Sequence, residues 1–110
     1  CVECHKPLIS AAVIRFEGQI SVFKGYEVDQ PCYQCLYSEQ GDGRESCVEN
    51  GVLAPVAGLV GTIQALQAIK VLLDLGEQLC GELLLIDGLD LSFRKVKIAK
   101  DSECSICGLN

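Results

Sequence analysis

The sequence has 110 residues, 49% of apolar type and 22% charged, which suits one thin globular domain and excludes a disordered chain. Lys+Arg is 9 and Asp+Glu is 15, a formal net charge of −6, the opposite of a general nucleic-acid binder. No apolar run approaches the ~20 residues that cross a bilayer, which argues against a membrane protein. Met is absent, even at position 1, so the expectation is a processed, truncated or partial chain. The opening Cys1-Val2-Glu3-Cys4-His5-Lys6 has no long apolar core behind it and is not a signal peptide.

Leu8 to Ile14 is apolar on both faces, the pattern of a strand buried inside a sheet. Glu17-Gly18 signals a turn, and Gln19 to Phe23 alternates with period two, as a strand with one wetter face. Gly25 to Gln30 is a polar connection, and Pro31 to Cys35 is a compact knuckle. Residues 38–46 contain no apolar side chain and two glycines, the composition of a mobile surface loop.

The clearest element follows. Val56, Val60, Ile63, Leu66, Ile69, Leu72 and Leu73 recur at spacings that define a helical face between Leu53 and Leu73. Pro55 suits the first turn and Gly76 a C-cap. Gly58 and Gly61 each cost about 1 kcal/mol relative to Ala inside a helix, which predicts close backbone packing at the helix start. Between Leu53 and Leu73 only Lys70 is charged, so the helix is expected to lie between a sheet and another layer or subunit. Glu82 to Asp87 reads as a strand, Gly88-Leu89-Asp90 as a turn, and Leu91 to Ala99 as the return. Leu91 and Phe93 share one parity while Val96 and Ile98 share the other, which predicts a bulge or strong twist near Arg94-Lys95. Arg94, Lys95, Lys97 and Lys100 read as a solvated strand face.

The eight cysteines carry the chemistry. Six fall into three Cys-x-x-Cys pairs, Cys1/Cys4, Cys32/Cys35 and Cys104/Cys107. Disulfide frameworks scatter their cysteines, whereas metal knuckles pair them. Cys32, Cys35, Cys104 and Cys107 would together make a tetrathiolate zinc site in a reducing cytoplasm. Such a metal would join distant parts of the chain rather than close a miniature finger, and Gly108 would let a backbone amide fold back toward sulfur. Buried thiols or a redox pair are the alternatives, although neither pair sits between a strand and a helix as a thioredoxin-type pair does. Cys1, Cys4 and Cys80 read as ordinary surface or core thiols, Cys1-Val2-Glu3-Cys4-His5 being at most an unpartnered half-site. Cys47 precedes the long helix, whose unpaired amides favour a thiolate, and Arg44 is close in sequence. It is a candidate nucleophile for acyl or sulfur transfer, or else an incidental loop cysteine. His5 is the only histidine and has no triad around it. There is no P-loop or Gly-x-Gly-x-x-Gly motif.

Taken in order, these residues resemble the MoeB/ThiF/HesA family. Ala11 to Phe23 looks like its A-A-x-R-x-E-G-Q-x-x-V-F stretch, and Pro31 to Leu36 resembles its first zinc knuckle. Cys47 to Pro55 resembles the cysteine-bearing segment before its long helix. Gly58 to Lys70, Asp87, Phe93-Arg94 and Cys104-x-x-Cys107-Gly108 continue the likeness, above all to the MoeB-type adenylyltransferases. The resemblance implies ubiquitin-activating-like enzymes that use Mg-ATP to adenylate the C-terminal glycine of a ubiquitin-like sulfur carrier, in molybdopterin or thiamin synthesis or tRNA thiolation. It implies a Rossmann-like α/β fold with a parallel half and a largely antiparallel half, a structural zinc, a crossover loop and a homodimer. The family's nucleotide-binding residues all lie before the position that matches Cys1. Residues 1–110 therefore correspond to the C-terminal half of the domain, an α/β piece with a mixed or antiparallel sheet, one long helix and the zinc-binding tetracysteine site. The match carries the zinc ligands to Cys32, Cys35, Cys104 and Cys107, and places Cys47 where some relatives use a thiol in acyl chemistry. The alternative is a non-enzymatic, zinc-stapled interaction module.

Overall fold

A computed structural model describes residues 1–36, 51 and 53–108 of the chain. Strands β1 (Leu8–Ile14) and β2 (Glu17–Phe23) form a hairpin, a single-turn helix α1 (Tyr33–Leu36) follows, and α2 (Ala54–Leu73) is the long helix. Strands β3 (Glu82–Asp87) and β4 (Ser92–Lys97) form a second hairpin. The sheet runs β1-β2-β3-β4 with every neighbour antiparallel. The fold is therefore α/β, and among the described residues an antiparallel sheet carries the long helix across β1 and β2.

Period two decides which residues meet the helix. On β2, Ile20 and Val22 point to α2, paired with Ala11 and Ile9 of β1. Leu84 and Ile86 of β3 extend that face, and Val56 and Val60 of α2 close on it together with Leu79. Gly18 shares this face because Val60 stands directly over it and fills the space where a Cβ would be. Two glutamines of α2 serve backbone groups beneath the helix. Gln64 donates from Nε2 to the Ile9 carbonyl at 2.8 Å, and Gln67 accepts the Leu79 N–H at 3.1 Å. Buried polar groups keep partners in this way.

Several expectations are revised. The first hairpin turns at Arg15-Phe16, so Glu17 and Gly18 already belong to β2. Arg15 is left-handed (φ 56), and its backbone bonds Gly51 and Leu53, pinning the approach to α2 against the turn. Among the described residues β1 is an edge strand, with no strand paired on its outer side. There is no bulge at Arg94-Lys95. Leu83 pairs with Val96 and Ile86 with Phe93 in one unbroken register. The parity change is tolerated because every residue of β4 is exposed, so neither face must be consistently apolar. Asp87 and Gly88 do form a turn, with the Asp87 carboxylate accepting the Leu89 N–H at 2.9 Å.

The helix differs from expectation in three ways. Its left-handed end is Asp74 (φ 51) rather than Gly76, with a backbone amide returning to the Lys70 carbonyl. Asp tolerates this conformation because its short polar side chain can bond locally. Gly58 and Gly61 do not pack closely on anything described, since the space beside each is open. Finally, α2 has 20 residues and a mean hydropathy of 1.7, long and apolar enough by length and composition to cross a bilayer. That corrects the statement that no apolar run has such a length. In this fold one side of α2 lies on the sheet, while Leu66, Ile69, Leu72 and Leu73 remain at least half exposed on the other.

The Gly18–Val60 contact generates a prediction. Gly18→Ala forces a side chain into occupied space and costs about 1–3 kcal/mol in urea unfolding. Combining it with Val60→Ala returns part of that loss, because the two changes act on one contact.

Candidate metal centre

Three local features assemble the centre. Phe23 ends β2 and packs edge-on against Tyr33, ring centroids 5.8 Å apart, which seats α1 at the end of the sheet. The turn from Cys32 into α1 is closed by the Cys35 amide donating to the Cys32 carbonyl at 3.0 Å. The tail forms a matching turn in which the Cys104 amide donates to the Asp101 carbonyl at 3.0 Å and the Asp101 carboxylate accepts the Glu103 N–H at 2.9 Å. The Gly108 amide folds back onto the Cys104 carbonyl at 2.9 Å, and the expected turn of backbone amides toward sulfur is made by Ile106 and Cys107 at Cys104.

These turns bring the four sulfurs of Cys32, Cys35, Cys104 and Cys107 within 4.8 Å of one another. Cys32 Sγ lies 3.9 Å from Cys35 Sγ and 3.6 Å from Cys104 Sγ, and Cys35 Sγ lies 3.4 Å from Cys107 Sγ. Metal–sulfur bonds of ~2.3 Å in a tetrahedron place sulfurs about 3.8 Å apart. The spacing therefore fits one tetrahedral thiophilic dication, and it is far longer than the ~2.05 Å of a disulfide. Cys32 and Cys107 are buried, while Cys35 and Cys104 keep partial access to solvent.

The thiols differ in acidity. Burial pushes Cys107 and Cys32 above the ordinary thiol value, and for Cys107 the neighbouring cysteines add to the rise. Burial acts upward on Cys104 too, but the backbone amides of Cys107 and Ile106 and the Cys32 side chain bring it down to about 7. The cluster is thus poised to lose its first proton near neutrality and to surrender the others when a dication arrives.

Of the other cysteines, Cys1 and Cys4 are exposed and lie outside the cluster. Cys80 forms an isolated parallel bridge with Val22, and burial raises its thiol against the pull of Lys24. Cys47 and the 38–46 loop lie outside the described residues. Two contributors to the centre were not singled out from the sequence. The Asp101 amide donates to Cys35 Sγ at 3.4 Å, and Lys100 ties the tail to the loop before the first knuckle. Proximity to Cys104 was the one signal for either.

Acidity and geometry together make a prediction. Cys104 is depressed in the folded state, so its contribution to stability is complete above the unfolded thiol value of 9.0 and is lost as pH falls through about 7. Metal-free chain should show a first cluster thiol titrating near pH 7, read by pH-dependent iodoacetamide labelling and peptide mass analysis. Metal uptake should release the remaining cluster thiol protons, so calorimetry in buffers of different ionisation enthalpy should give different apparent heats. Equal heats in all buffers would contradict this protonation pattern.

Residues 1–106 match the ThiF family. The molybdopterin-synthase adenylyltransferase of Haemophilus influenzae is 50% identical over 103 residues, covering 94% of this chain and 42% of that protein. Its Escherichia coli K12 counterpart is 41% identical over 108 residues, covering 98% and 43%. The adenylyltransferase and sulfurtransferase MOCS3 of Oryza sativa subsp. japonica is 42% identical over 113 residues, covering 100% of this chain and 25% of the relative. The chain thus spans less than half the length of the curated relatives it matches. Among solved structures, E. coli MccB with ATP superposes with a TM-score of 0.77 at 20% identity, over 98% of this chain and 33% of that one. That likeness concerns the fold. On the family match and these identities, the chain belongs to the ThiF family.

Proposed function

We propose that residues 1–110 are the C-terminal half of a ThiF-type adenylyltransferase domain. The parent protein would use Mg-ATP to activate the C-terminal glycine of a ubiquitin-like sulfur-carrier protein. The carrier carboxylate would attack the α-phosphorus and pyrophosphate would leave, giving an acyl-adenylate ready for sulfur transfer. The observation that carries this reading is near-complete coverage of the chain, at 41–50% identity, by molybdopterin-synthase adenylyltransferases. The sequence has no glycine-rich nucleotide loop, so nucleotide binding is assigned to the preceding half of the fold.

In this reading Cys32, Cys35, Cys104 and Cys107 hold a structural zinc ion. The metal supplies a cross-link and takes no part in the reaction. Four thiolates around a dication leave −2 at the site, which the surrounding N–H donors offset. Structural zinc contributes ~10–16 kcal/mol of apparent binding energy in small domains, so Cys104→Ser should lose both metal and fold. The unpaired thiols suit a reducing, cytoplasmic setting. Cys47 would act after adenylation, in acyl or sulfur transfer.

The exposed side of α2 favours a second reading, a zinc-stapled interaction module without chemistry. It also supports cover by the missing half and by a symmetric partner in a homodimer. Pyrophosphate exchange separates the readings. The full-length parent should catalyse carrier-dependent ATP–pyrophosphate exchange, the 110 residues alone should not, and Cys47→Ala should leave exchange nearly intact. Absence of exchange in a zinc-loaded, folded parent leaves the module. Light scattering of the parent at micromolar concentration should give twice the chain mass, and a monomer would argue against the symmetric partner.

A further inference from the structure

We infer that Lys100 is a positioning residue for the tetracysteine centre: its ammonium group docks the tail turn onto the Gly25–Glu27 loop and so delivers Cys104 and Cys107 to Cys32 and Cys35. Within the basic cluster Lys100 stands apart. Arg94, Lys95 and Lys97 lie exposed on β4, whereas Lys100 is half-buried. Its Nζ donates to the Glu27 carbonyl at 3.0 Å and to the Gly25 carbonyl at 3.4 Å. Donors that carry charge make the stronger hydrogen bonds, and here one ammonium group joins two carbonyls of one loop.

That loop is the floor of the first knuckle. Gly25 lies so close to Cys32 that a Cβ there would sit 2.5 Å from the Cys32 Cβ and 3.1 Å from its Cα. Whatever fixes the Gly25 carbonyl therefore fixes the backbone that presents Cys32. On the other side Lys100 is joined directly to Asp101. The Asp101 amide reaches Cys35 Sγ, its carbonyl takes the Cys104 amide, and its carboxylate takes the Glu103 amide. A single side chain thus connects the support of one sulfur pair to the support of the other.

The physical need is clear. Positions 36–103 separate the two pairs along the chain, so bringing them together costs loop-closure entropy. The sulfurs also repel one another once ionised. A tether flanking both turns raises the effective concentration of one pair at the other.

The inference rests on the reading of the cluster as a zinc site, and the test separates the two. In the zinc-loaded full chain, Lys100→Met should lose zinc to a chelator about 10–100-fold faster than the unaltered chain, the usual size of an outer-shell effect. Lys100→Arg, which keeps the charge and the donors, should restore most of the retention, and Lys97→Met should change nothing. Cobalt-loaded Lys100→Met should keep the sulfur-to-metal charge-transfer band of four thiolates, because the ligands remain and only their support is weakened. Unchanged zinc loss in Lys100→Met, or no recovery in Lys100→Arg, overturns the assignment. If Lys100→Met does not fold, amine acylation of the unaltered zinc-loaded chain decides. Lys100 should react more slowly than Lys95 and Lys97, and equal rates overturn the proposal. An unaltered chain that takes up no zinc under reducing conditions sinks the zinc reading itself, whereas equal retention by the unaltered chain and Lys100→Met sinks only the role of Lys100.

Discussion

Four sulfurs from two distant turns meet within 4.8 Å, and the lower part of the molecule is organised by that meeting. The constraint is severe because thiols gain little from one another. Two of the four are buried, and burial alone raises the cost of ionising them. Uncompensated, such a cluster would separate. It stays together because each turn is closed by its own backbone hydrogen bonds, because amides approach sulfur, and because a dication can replace mutual repulsion with attraction. The centre then holds α1 and the tail against the end of β2, where Phe23 and Tyr33 already touch.

The rest of the chain has a single core layer. Ile20, Val22, Val56, Val60, Leu79, Leu84 and Ile86 are the buried cluster between α2 and the sheet. The far side of α2 stays exposed at Leu66, Ile69, Leu72 and Leu73, and among the described residues no strand pairs with the outer edge of β1. Small domains bury a modest share of their surface. This explains how a helix with one charged residue can be half-clothed. Its apolar residues divide between a side packed on the sheet and a side left exposed. A metal ion held by the four cysteines would add order that the thin core does not supply.

The site was more legible in the sequence than its support. Cys-x-x-Cys spacing carries geometric information because each short turn presents two sulfurs at a fixed bite, so Cys32, Cys35, Cys104 and Cys107 could be grouped without coordinates. Lys100 could not be grouped with them. It stands in a run with Arg94, Lys95 and Lys97, and nothing local distinguishes a lysine that reaches two carbonyls across 73 or more positions from one that reaches water. The same holds for Gly58 and Gly61. A glycine in a helix costs the same whether it admits a neighbour or faces open space, and here the space is open.

What the amino-acid order determined alone was periodicity and local chemistry. The apolar runs of residues 8–14 and 82–87, the alternation of residues 19–23, the three-four spacing of residues 56–73 and the paired cysteines each follow from a few neighbours along the chain. Tertiary structure decided what needs distant partners. It placed Gly18 under Val60, directed Gln67 to the Leu79 amide, left β4 exposed so that its change of parity needed no bulge, and put a lysine of the tail on a loop before the first knuckle. The physical reason is that a strand or helix is written in contacts a few residues apart. Burial, close approach and the choice of hydrogen-bond partner depend on which other element arrives, and that is settled only when the whole chain has folded.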